Sequence, residues 1–295
     1  MQTFKNNWAV IIGGSSGMGL AIAQKMANEG MNLCIIHRDR RKDLPAIELA
    51  FEAIRGKGVE LLTFNYDALN TTKQDLILKA LIEKLGSSQK VKLIVHSIAK
   101  GNLKPIHISD KSGLDLQQAA NVSDTDLLNT FEGLKQLPTF SSNIPKLGEQ
   151  DFTLTIQAMA TNFYHWVRLL LDAELLADDT RVIGLTSEGS QRAWKGYAAV
   201  SAAKAALESI CRSMAVELAP KGIRCNVIQA GVTDTTSLRM IPNSDQLKLH
   251  AALRNPFGRL TTPKDVANVV YLLTRPESAW INGAVIPVDG GERIV

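Results

Sequence analysis

Cysteine is scarce in this sequence of 295 residues, and long apolar runs are absent. The three cysteines, Cys34, Cys211 and Cys225, lack the spacing of metal ligands, so we expect neither a disulfide framework nor a metal site. Each lies in an apolar stretch, which predicts buried free thiols in a reducing compartment. No apolar run reaches the roughly 18 residues of a membrane span, and no secretory leader is evident. We therefore expect a cytoplasmic protein without a membrane span.

A strong charge of one sign is also absent. The formal net charge is only +4, and lysine and arginine are scattered along the chain rather than gathered in one stripe. This distribution argues against a nucleic-acid partner but favours an anionic substrate or cofactor. Hydrophobic residues make up 45% of the sequence, enough for one sizeable core. We expect residues 1–295 to form a single domain.

Short β-branched runs alternate with longer helical patterns through most of the chain. The predicted strands are Trp8–Ile12, Asn32–Ile36, Glu60–Phe64, Lys92–His96, Arg181–Thr186, Ile223–Gln229 and Ala284–Val288. The predicted helices are Gly17–Asn28, Leu44–Arg55, Thr72–Leu85, Asp151–Leu176, Tyr197–Leu218 and Pro263–Thr274. Such alternation, with strands that are apolar throughout, is typical of parallel strands covered on both faces. It predicts an α/β protein with a doubly wound parallel sheet, the Rossmann fold.

One segment interrupts this alternation. From about Ile106 to Gly148 the periodicity is weak and polar residues are frequent, apart from one short amphipathic helix predicted over Asp124–Leu137. A structureless excursion of this length is uncommon in a compact domain. It is either a surface insertion or a cover over a cleft, since it follows the fourth strand, where doubly wound folds bind ligands.

The first strand runs directly into a glycine-rich loop, and a helix follows. The loop reads Gly13-Gly14-Ser15-Ser16-Gly17-Met18-Gly19. Gly13 permits a sharp turn, Gly17 lets a pyrophosphate approach the backbone, and Gly19 lets the helix pack on the sheet. The free N–H groups at the helix start would then face the phosphates. This strand–loop–helix context predicts a dinucleotide site.

The end of the second strand bears on which nicotinamide cofactor fits. An acidic residue there would hold the ribose hydroxyls and repel a 2′-phosphate, but His37 stands at that position and Arg38 follows. A guanidinium group suits phosphate recognition, so the sequence favours NADPH over NADH. The alternative is a solvated basic turn in which Asp39 selects NAD.

Tyr197 and Lys204 are candidate catalytic residues. They are seven residues apart on a predicted helix, which puts them on one face about 10 Å apart along its axis. We therefore expect their side chains to lean together around a ligand without touching. Ser187 closes the fifth strand ten residues before Tyr197.

Together these features resemble the short-chain dehydrogenase/reductase superfamily. Further matches are Asp67, Asn162, Ala230-Gly231, Gly258-Arg259, Pro263-Lys264-Asp265-Val266-Ala267 and Val288-Asp289-Gly290-Gly291. The resemblance implies that Asp67 contacts adenine. It implies that Ser97, Ile98 and Ala99 line the nucleotide, and that Gly231, Thr233 and Thr235 reach the nicotinamide end. It also implies a homotetramer built through Asp151–Leu176 and Tyr197–Leu218.

Two departures from the common superfamily pattern narrow the resemblance. Most members place the tyrosine four residues before the lysine, where this chain has Val200, and the fourth strand here ends His96-Ser97-Ile98-Ala99. Both features are similar to the enoyl-acyl-carrier-protein reductases, and the compact glycine loop is similar to their NADPH-dependent bacterial type. The resemblance implies reduction of the 2,3 double bond of an acyl thioester, carried by acyl carrier protein or coenzyme A, in fatty-acid or related synthesis.

The displaced tyrosine suits that chemistry. Hydride addition to the β-carbon of an enoyl thioester builds negative charge on an oxygen three bonds away, and a tyrosine one turn earlier can reach that oxygen. Tyr197 would stabilise the enolate, and Lys204 would hold the nicotinamide ribose. Ser187 takes the usual superfamily serine position. The resemblance implies that Asn162 shapes a helix kink and a proton-relay water; the alternative is a polar residue at a subunit contact.

Two alternatives to enoyl reduction remain open. One is a carbonyl reductase or alcohol dehydrogenase of the same superfamily with a displaced tyrosine. The other is a non-catalytic NADP-binding protein, against which the presence of both Tyr197 and Lys204 argues.

Overall fold

Seven parallel strands form one sheet in the order β3-β2-β1-β4-β5-β6-β7. The computed structural model describes residues 3–108, 145–241 and 244–295. The strands are β1 Trp8–Ile12, β2 Asn32–His37, β3 Leu61–Asn65, β4 Val91–His96, β5 Leu176–Ser187, β6 Arg224–Ala230 and β7 Val285–Val288. Every residue of β1 and β2 is buried, as their continuous apolar sequences require. The predicted doubly wound Rossmann fold in a single domain is confirmed.

Helices cover both faces of this sheet. They are α1 Gly17–Asn28, α2 Leu44–Arg55, α3 Thr71–Leu85, α4 Glu149–Ile156, α5 Asn162–Asp172, α6 Ala198–Glu217, α7 Thr236–Arg239, α8 Ser244–Arg254 and α9 Pro263–Thr274. Helices α1, α2 and α9 pack on one face through buried residues such as Met26, Phe51 and Val270. Helices α3, α5 and α6 pack on the other, where Trp166 and Leu207 are fully buried. Both faces of the sheet are therefore covered by mainly apolar side chains.

The predicted helix Asp151–Leu176 is wrong in its continuity and its end. The chain forms α4, then a π-helical turn over Gln157–Thr161, then α5. Glu174 has a positive φ of 55°, which ends the helical segment. Leu176 then belongs to β5 and pairs with Val91 of β4.

Helices α7 and α8 follow β6 and were not predicted. Over Ser244–Arg254 only Ala251 is buried, so the segment lacks the apolar stripe that marks a core-facing helix.

The insertion over about Ile106–Gly148 lies largely outside the described residues, as does the helix predicted over Asp124–Leu137. The two ends that are described meet each other. The Leu147 N–H donates to the Pro105 carbonyl over 2.9 Å. The Lys104 ammonium reaches the Asp151 carboxylate at the start of α4 over 2.8 Å. The chain thus leaves and rejoins the fold at adjacent points.

The turn that leads into β6 depends on Gly222. Its φ is +72°, and a Cβ placed there would lie 1.7 Å from the Asp178 carbonyl oxygen. We expect Gly222→Ala to lower the free energy of unfolding by at least ~2 kcal/mol, because strain and overlap add. Gly58 is a matched control, since its φ is +76° but a Cβ placed there would have no neighbouring atom within 4 Å. Gly58→Ala should cost only about 1 kcal/mol for the left-handed backbone. Equal losses in urea denaturation would contradict this expectation.

Candidate active site at the carboxyl edge of the sheet

The loop between β1 and α1 is a tightly folded cradle. Gly13 has a φ of +89°, and a Cβ there would lie 2.6 Å from the Ser97 carbonyl oxygen at the end of β4. A Cβ at Gly19 would lie 2.0 Å from the Gly13 carbonyl oxygen. Gly17, at φ +53°, faces the methyl group of Thr235. Side chains are excluded from these positions, so a phosphate group can approach the backbone, and the cradle fits a dinucleotide.

The remaining residues of the glycine loop differ in exposure. Ser15 is buried, whereas Ser16 is exposed and precedes α1 in an extended conformation. The Ser16 side chain does not cap the helix, so the N–H groups of its first turn stay available to a ligand. Met18 lies beside the end of β4 and shares a cleft with Ser97.

The end of β2 brings together His37, Arg38 and Asp67, which the sequence predicts at the adenosine half of the cofactor. Arg38 is 57% exposed, and its Nη1 donates to Asp67 Oδ2 over 2.8 Å. His37 is buried, with Nδ1 2.8 Å from Asp39 Oδ2 and its ring edge-on to Phe51. His37 thus orients Asp39, while Arg38 projects at the surface next to Asp67 with further N–H groups available for an anion.

Tyr197 lies just before α6, at the N-cap position, and not within the helix as predicted. Its ring packs against Trp194 with a centroid separation of 5.2 Å. A Cβ at Gly189 would lie 2.5 Å from Tyr197 Cε1, so the turn after β5 must carry glycine there for the ring to fit. Burial raises the pKa of the Tyr197 hydroxyl, and the neighbouring Ser187 lowers it in part. The phenol is therefore protonated near neutral pH and can donate a hydrogen bond.

Ser187 Oγ is buried beside that phenol. It has no hydrogen bond of good geometry to any described residue. An unpartnered buried hydroxyl is costly unless a ligand completes it, which marks this point as a binding position.

Lys204 is buried in α6, and its Nζ donates to the Leu185 carbonyl of β5 over 2.6 Å. Burial lowers the pKa of the Lys204 ammonium to about 8, and the charge of Glu208 opposes that effect. Glu208 is itself buried one turn further along and accepts a hydrogen bond from Thr186 Oγ1 over 2.7 Å. Glu208 was not predicted, although an acid four residues after a lysine on a helix was the available signal.

Tyr197 and Lys204 line the same cleft, with Val200 between them. Lys204 Nζ bonds to the backbone of β5 and not to the tyrosine hydroxyl, which agrees with the expectation that the two side chains do not touch. Val200, at the usual tyrosine position of the superfamily, is apolar and buried. The tyrosine hydroxyl of the cleft therefore lies nearer the start of α6 than the usual tyrosine position of the superfamily, which is Val200.

Asn162 lies outside the lining of this cleft. Its amide is fully engaged, because Nδ2 donates to the Ala68 carbonyl over 3.0 Å and Oδ1 lies 3.2 Å from His96 Nε2. It directly follows the π-helical turn Gln157–Thr161, where a helix irregularity was anticipated. Burial lowers the pKa of His96 to about 3, with Asn162 opposing and Lys204 reinforcing the shift, so His96 is neutral. A proton-relay role for Asn162 stays a prediction.

Most of the residues predicted to be catalytic or to lie at the nicotinamide end of the cofactor line one cleft. Its predicted lining residues are Met18, Ser97, Ile98, Ala99, Ser187, Tyr197, Lys204, Gly231, Thr233 and Thr235. Thr235 also caps α7 by accepting the Leu238 N–H, and Thr233 Oγ1 donates to the Gly231 carbonyl. The cleft also has an apolar part, formed by Leu103, Met159, Trp194, Val200, Leu238, Ile241 and Leu247. Leu238 and Leu247 follow Thr235, where the sequence offered leucine and methionine residues for the wall of an acyl-binding cleft. A polar end beside an apolar wall suits a substrate with one reactive polar group and a hydrocarbon portion.

Sequence comparison places the chain in a family. A family model described as enoyl-(acyl carrier protein) reductase matches residues 133–292, and one described as short chain dehydrogenase matches residues 7–137. The chain belongs to the short-chain dehydrogenase/reductase superfamily. It is accordingly an oxidoreductase of a family that binds nicotinamide dinucleotides.

Individual relatives are named for different substrates. A peroxisomal 2,4-dienoyl-CoA reductase of Saccharomyces cerevisiae is 24% identical and is aligned over 98% of this chain and 84% of its own. A 3-oxoacyl-[acyl-carrier-protein] reductase of Chlamydia muridarum is also 24% identical, over 97% of each chain. A 1-cyclohexenylcarbonyl-CoA reductase of Streptomyces collinus is 36% identical over 124 residues, which are 41% of this chain and 44% of that protein.

Solved structures agree on the fold. The enoyl-[acyl-carrier-protein] reductase (NADH) of Aquifex aeolicus superposes with a TM-score of 0.73 at 22% identity, covering 99% of this chain and 98% of its own. A dehydrogenase/reductase of Sinorhizobium meliloti gives a TM-score of 0.74 at 21% identity, over 98% of this chain and 96% of its own.

Among the described residues, no group of three histidine, cysteine, aspartate or glutamate side chains could hold a metal ion. In the same part of the chain, no helix is both long and apolar enough to cross a membrane.

The lysine pKa leads to a pH prediction for cofactor binding. The Lys204 ammonium loses its proton as pH rises through about 8, so affinity for an anionic dinucleotide should weaken across that range. Removing the Glu208 charge removes an effect that raises this pKa, so Glu208→Gln should shift the loss of affinity to lower pH. Fluorescence titration of NADPH between about pH 6 and 9.5 measures both profiles. Glu217→Gln, at the exposed end of the same helix, is the control and should leave the midpoint in place. Identical midpoints for Glu208→Gln and the unaltered protein would contradict the assignment.

Proposed function

We propose that this protein reduces the 2,3 double bond of an enoyl thioester with NADPH. The observation that carries the proposal is the position of Tyr197, at the start of α6 beside Ser187, with the apolar Val200 one turn further on. The cleft therefore presents its hydroxyl donor away from the usual superfamily position. A displaced donor suits a substrate in which charge develops on an oxygen remote from the carbon that accepts the hydride.

The residues of the chain divide the work between binding and charge stabilisation. NADPH, when bound, would supply the hydride to the β-carbon, and solvent would supply the proton that the α-carbon takes up. Tyr197 is held by Trp194 and Gly189 and donates its phenolic proton as a hydrogen bond to the thioester oxygen as negative charge grows there. Lys204, fixed on the Leu185 carbonyl, holds ribose hydroxyls and contributes positive charge that strengthens the tyrosine as a donor. Ser187 Oγ supplies a further hydroxyl beside the same oxygen.

The apolar part of the cleft supports an acyl substrate. Met159, Leu238, Ile241 and Leu247 come from separate segments of the chain and give a wall on which a hydrocarbon chain can lie. We infer that the thioester is carried by acyl carrier protein or coenzyme A, in fatty-acid or related synthesis. Three buried free thiols fit a reducing compartment such as the cytoplasm.

We further propose a homotetramer built through α5 and α6. Tyr164 of α5 is 44% exposed and Val216 of α6 is 77% exposed. A groove runs between these two helices on the outer surface. Exposed apolar side chains beside a groove are typical of a subunit contact.

Activity with matched thioesters tests the reaction. We expect cofactor oxidation with crotonyl thioester and little with acetoacetyl thioester. Tyr197→Phe should lower turnover of the enoyl substrate about 100-fold, because the oxyanion loses its donor, while cofactor affinity changes little. Tyr271→Phe, on the remote helix α9, is the control and should keep full activity. Turnover of the β-keto compound alone would establish carbonyl reduction instead, and tight NADPH binding without turnover of either would indicate a non-catalytic protein.

The basic end of β2 supports NADPH over NADH. Arg38, which follows β2, carries an exposed guanidinium that donates a hydrogen bond to Asp67 over 2.8 Å. Lys100 lies 3.9 Å from the same carboxylate and adds positive charge. These groups favour a 2′-phosphate through charge-assisted hydrogen bonds.

Arg38→Ala tests this preference. We expect it to raise the Michaelis constant for NADPH at least 10-fold and to leave that for NADH within about twofold, because only the phosphate contact is lost. Arg41→Ala, three residues further along the same exposed turn, shows whether the effect is specific to Arg38. A preference for NADH in the unaltered protein would reject the assignment and point to Asp39 as the discriminating residue.

A further inference from the structure

A chain of four charged side chains extends from the cleft to the end of α8, and one of its members, Glu188, lines the cleft. It comprises Arg192, Glu188, Arg254 and Glu292 and is called the charge chain below. Arg254 Nη2 donates to Glu188 Oε1 over 2.7 Å and to Glu292 Oε1 over 3.0 Å. Arg192 Nη1 lies 3.6 Å from the other oxygen of Glu188. The link at Arg254 is well shielded, since Glu292 is only 2% exposed and Glu188 only 9%.

The charge chain joins three segments that are distant in sequence. Glu188 belongs to the turn Glu188–Ser190, whose Gly189 packs against the Tyr197 ring. Glu292 lies near the C-terminal end, and its Oε2 accepts the Val232 N–H over 3.1 Å in the loop after β6. Arg254 is the last residue of α8.

Helix α8 also contributes directly to the cleft. Leu247 lines the apolar part, and Arg254 follows it by seven residues, or two helical turns on the same face. A single guanidinium therefore connects the helix that forms the substrate wall to the turn behind the tyrosine and to the loop that approaches the nicotinamide end. The backbone of that loop packs closely on Glu292, because a Cβ at Gly231 would lie only 2.8 Å from Glu292 Oε2.

The charge chain is poorly explained by a contribution to the stability of the fold. Two carboxylates compete for one arginine, and Glu188 Oε2 and Arg254 Nε are buried without a hydrogen-bond partner among the described residues. Burial raises the pKa of Glu292, and the Glu188 charge adds to that rise against the opposing bonds from Val232 and Arg254. Buried ion pairs of this kind contribute little net stability and are better explained by what they hold in place.

We propose that Arg254 is a positioning residue for the reaction, which sets the distance between the turn that supports Tyr197 and the loop at Val232–Thr235. It does not touch the reacting atoms. It acts by holding the two sides of the reacting end at a fixed separation while α8 carries the substrate wall. The proposal rests on the reductase function proposed above.

Two substitutions at Arg254 test this role. In Arg254→Met, kcat for crotonyl thioester, counted per cofactor-binding site, should fall at least 10-fold, because small misplacements of catalytic groups are costly. The dissociation constant for NADPH should change much less than kcat, because neither Arg254 nor its partners Glu188 and Glu292 belong to the glycine cradle or to the Arg38 end. Arg254→Lys keeps the charge but not the fork, so it should retain the fold and lose part of kcat.

A purely structural role predicts a different result. It would lower the fraction of protein that binds cofactor and leave kcat per binding site unchanged. In the double variant Arg254→Met with Glu292→Gln, the surplus buried carboxylate is removed, so the thermal midpoint should recover while kcat stays low. Recovery of kcat together with the midpoint would overturn the proposal, as would an unchanged kcat in Arg254→Met.

Arg55 provides the matched control. It also bridges two glutamates, Glu48 and Glu52, but on the outer surface of α2. Arg55→Met should leave kcat and cofactor affinity unchanged.

Amide hydrogen exchange separates this proposal from the proposed function. With NADPH bound, Arg254→Met should exchange faster than the unaltered protein at 188–192 and 231–235, with no change in α2. Unchanged exchange in those segments would overturn the role of Arg254, whatever substrate the protein reduces. Absence of enoyl turnover in the unaltered protein would reject the proposed function and leave the exchange result to judge Arg254.

Discussion

The hydrogen bond from the Lys204 ammonium to the Leu185 carbonyl is the interaction on which the site depends. It attaches α6 to β5 where the sheet ends, and so fixes where the start of that helix lies. Tyr197 immediately precedes the helix, so its position follows from the same attachment. The bond also satisfies a charge that would otherwise be buried at high cost. Glu208, held by Thr186, supplies the balancing negative charge from within the helix.

The polar atoms that protein contacts leave incomplete are concentrated near this point. The buried side-chain atoms without a hydrogen-bond partner among the described residues belong to Ser187, Glu188, Gln229 and Arg254. Ser187, Glu188 and Gln229 lie at or near the carboxyl ends of β5 and β6, and Arg254 bonds to Glu188. The rest of the sheet is closed by apolar packing on both faces. A fold that keeps its unsatisfied groups at one edge concentrates its binding capacity there, and the preorganised groups need little rearrangement when a ligand arrives.

The sequence predicted the fold well because β1 and β2 are buried throughout, and β1 and the centre of β2 are continuous apolar runs. The tight turn of the glycine loop and the meeting of Tyr197 and Lys204 in one cleft also follow from local spacing. The sequence did not predict features that leave no local pattern or that depend on residues far apart in the chain. The π-helical turn Gln157–Thr161 has no distinctive local pattern, and α8 has no apolar stripe. The partners of Arg254 are 66 and 38 residues away, so no local periodicity could reveal them.

The bond between Leu147 and Pro105 has a consequence for how this chain tolerates change. Because the ends of the segment between them are held together, the entropy of closing it grows only with the logarithm of its number of residues. We therefore expect a change in the length of that segment to leave its two attachment points, on the loop after β4 and before α4, beside each other. The sheet is in this way insulated from variation in the part of the sequence that follows β4.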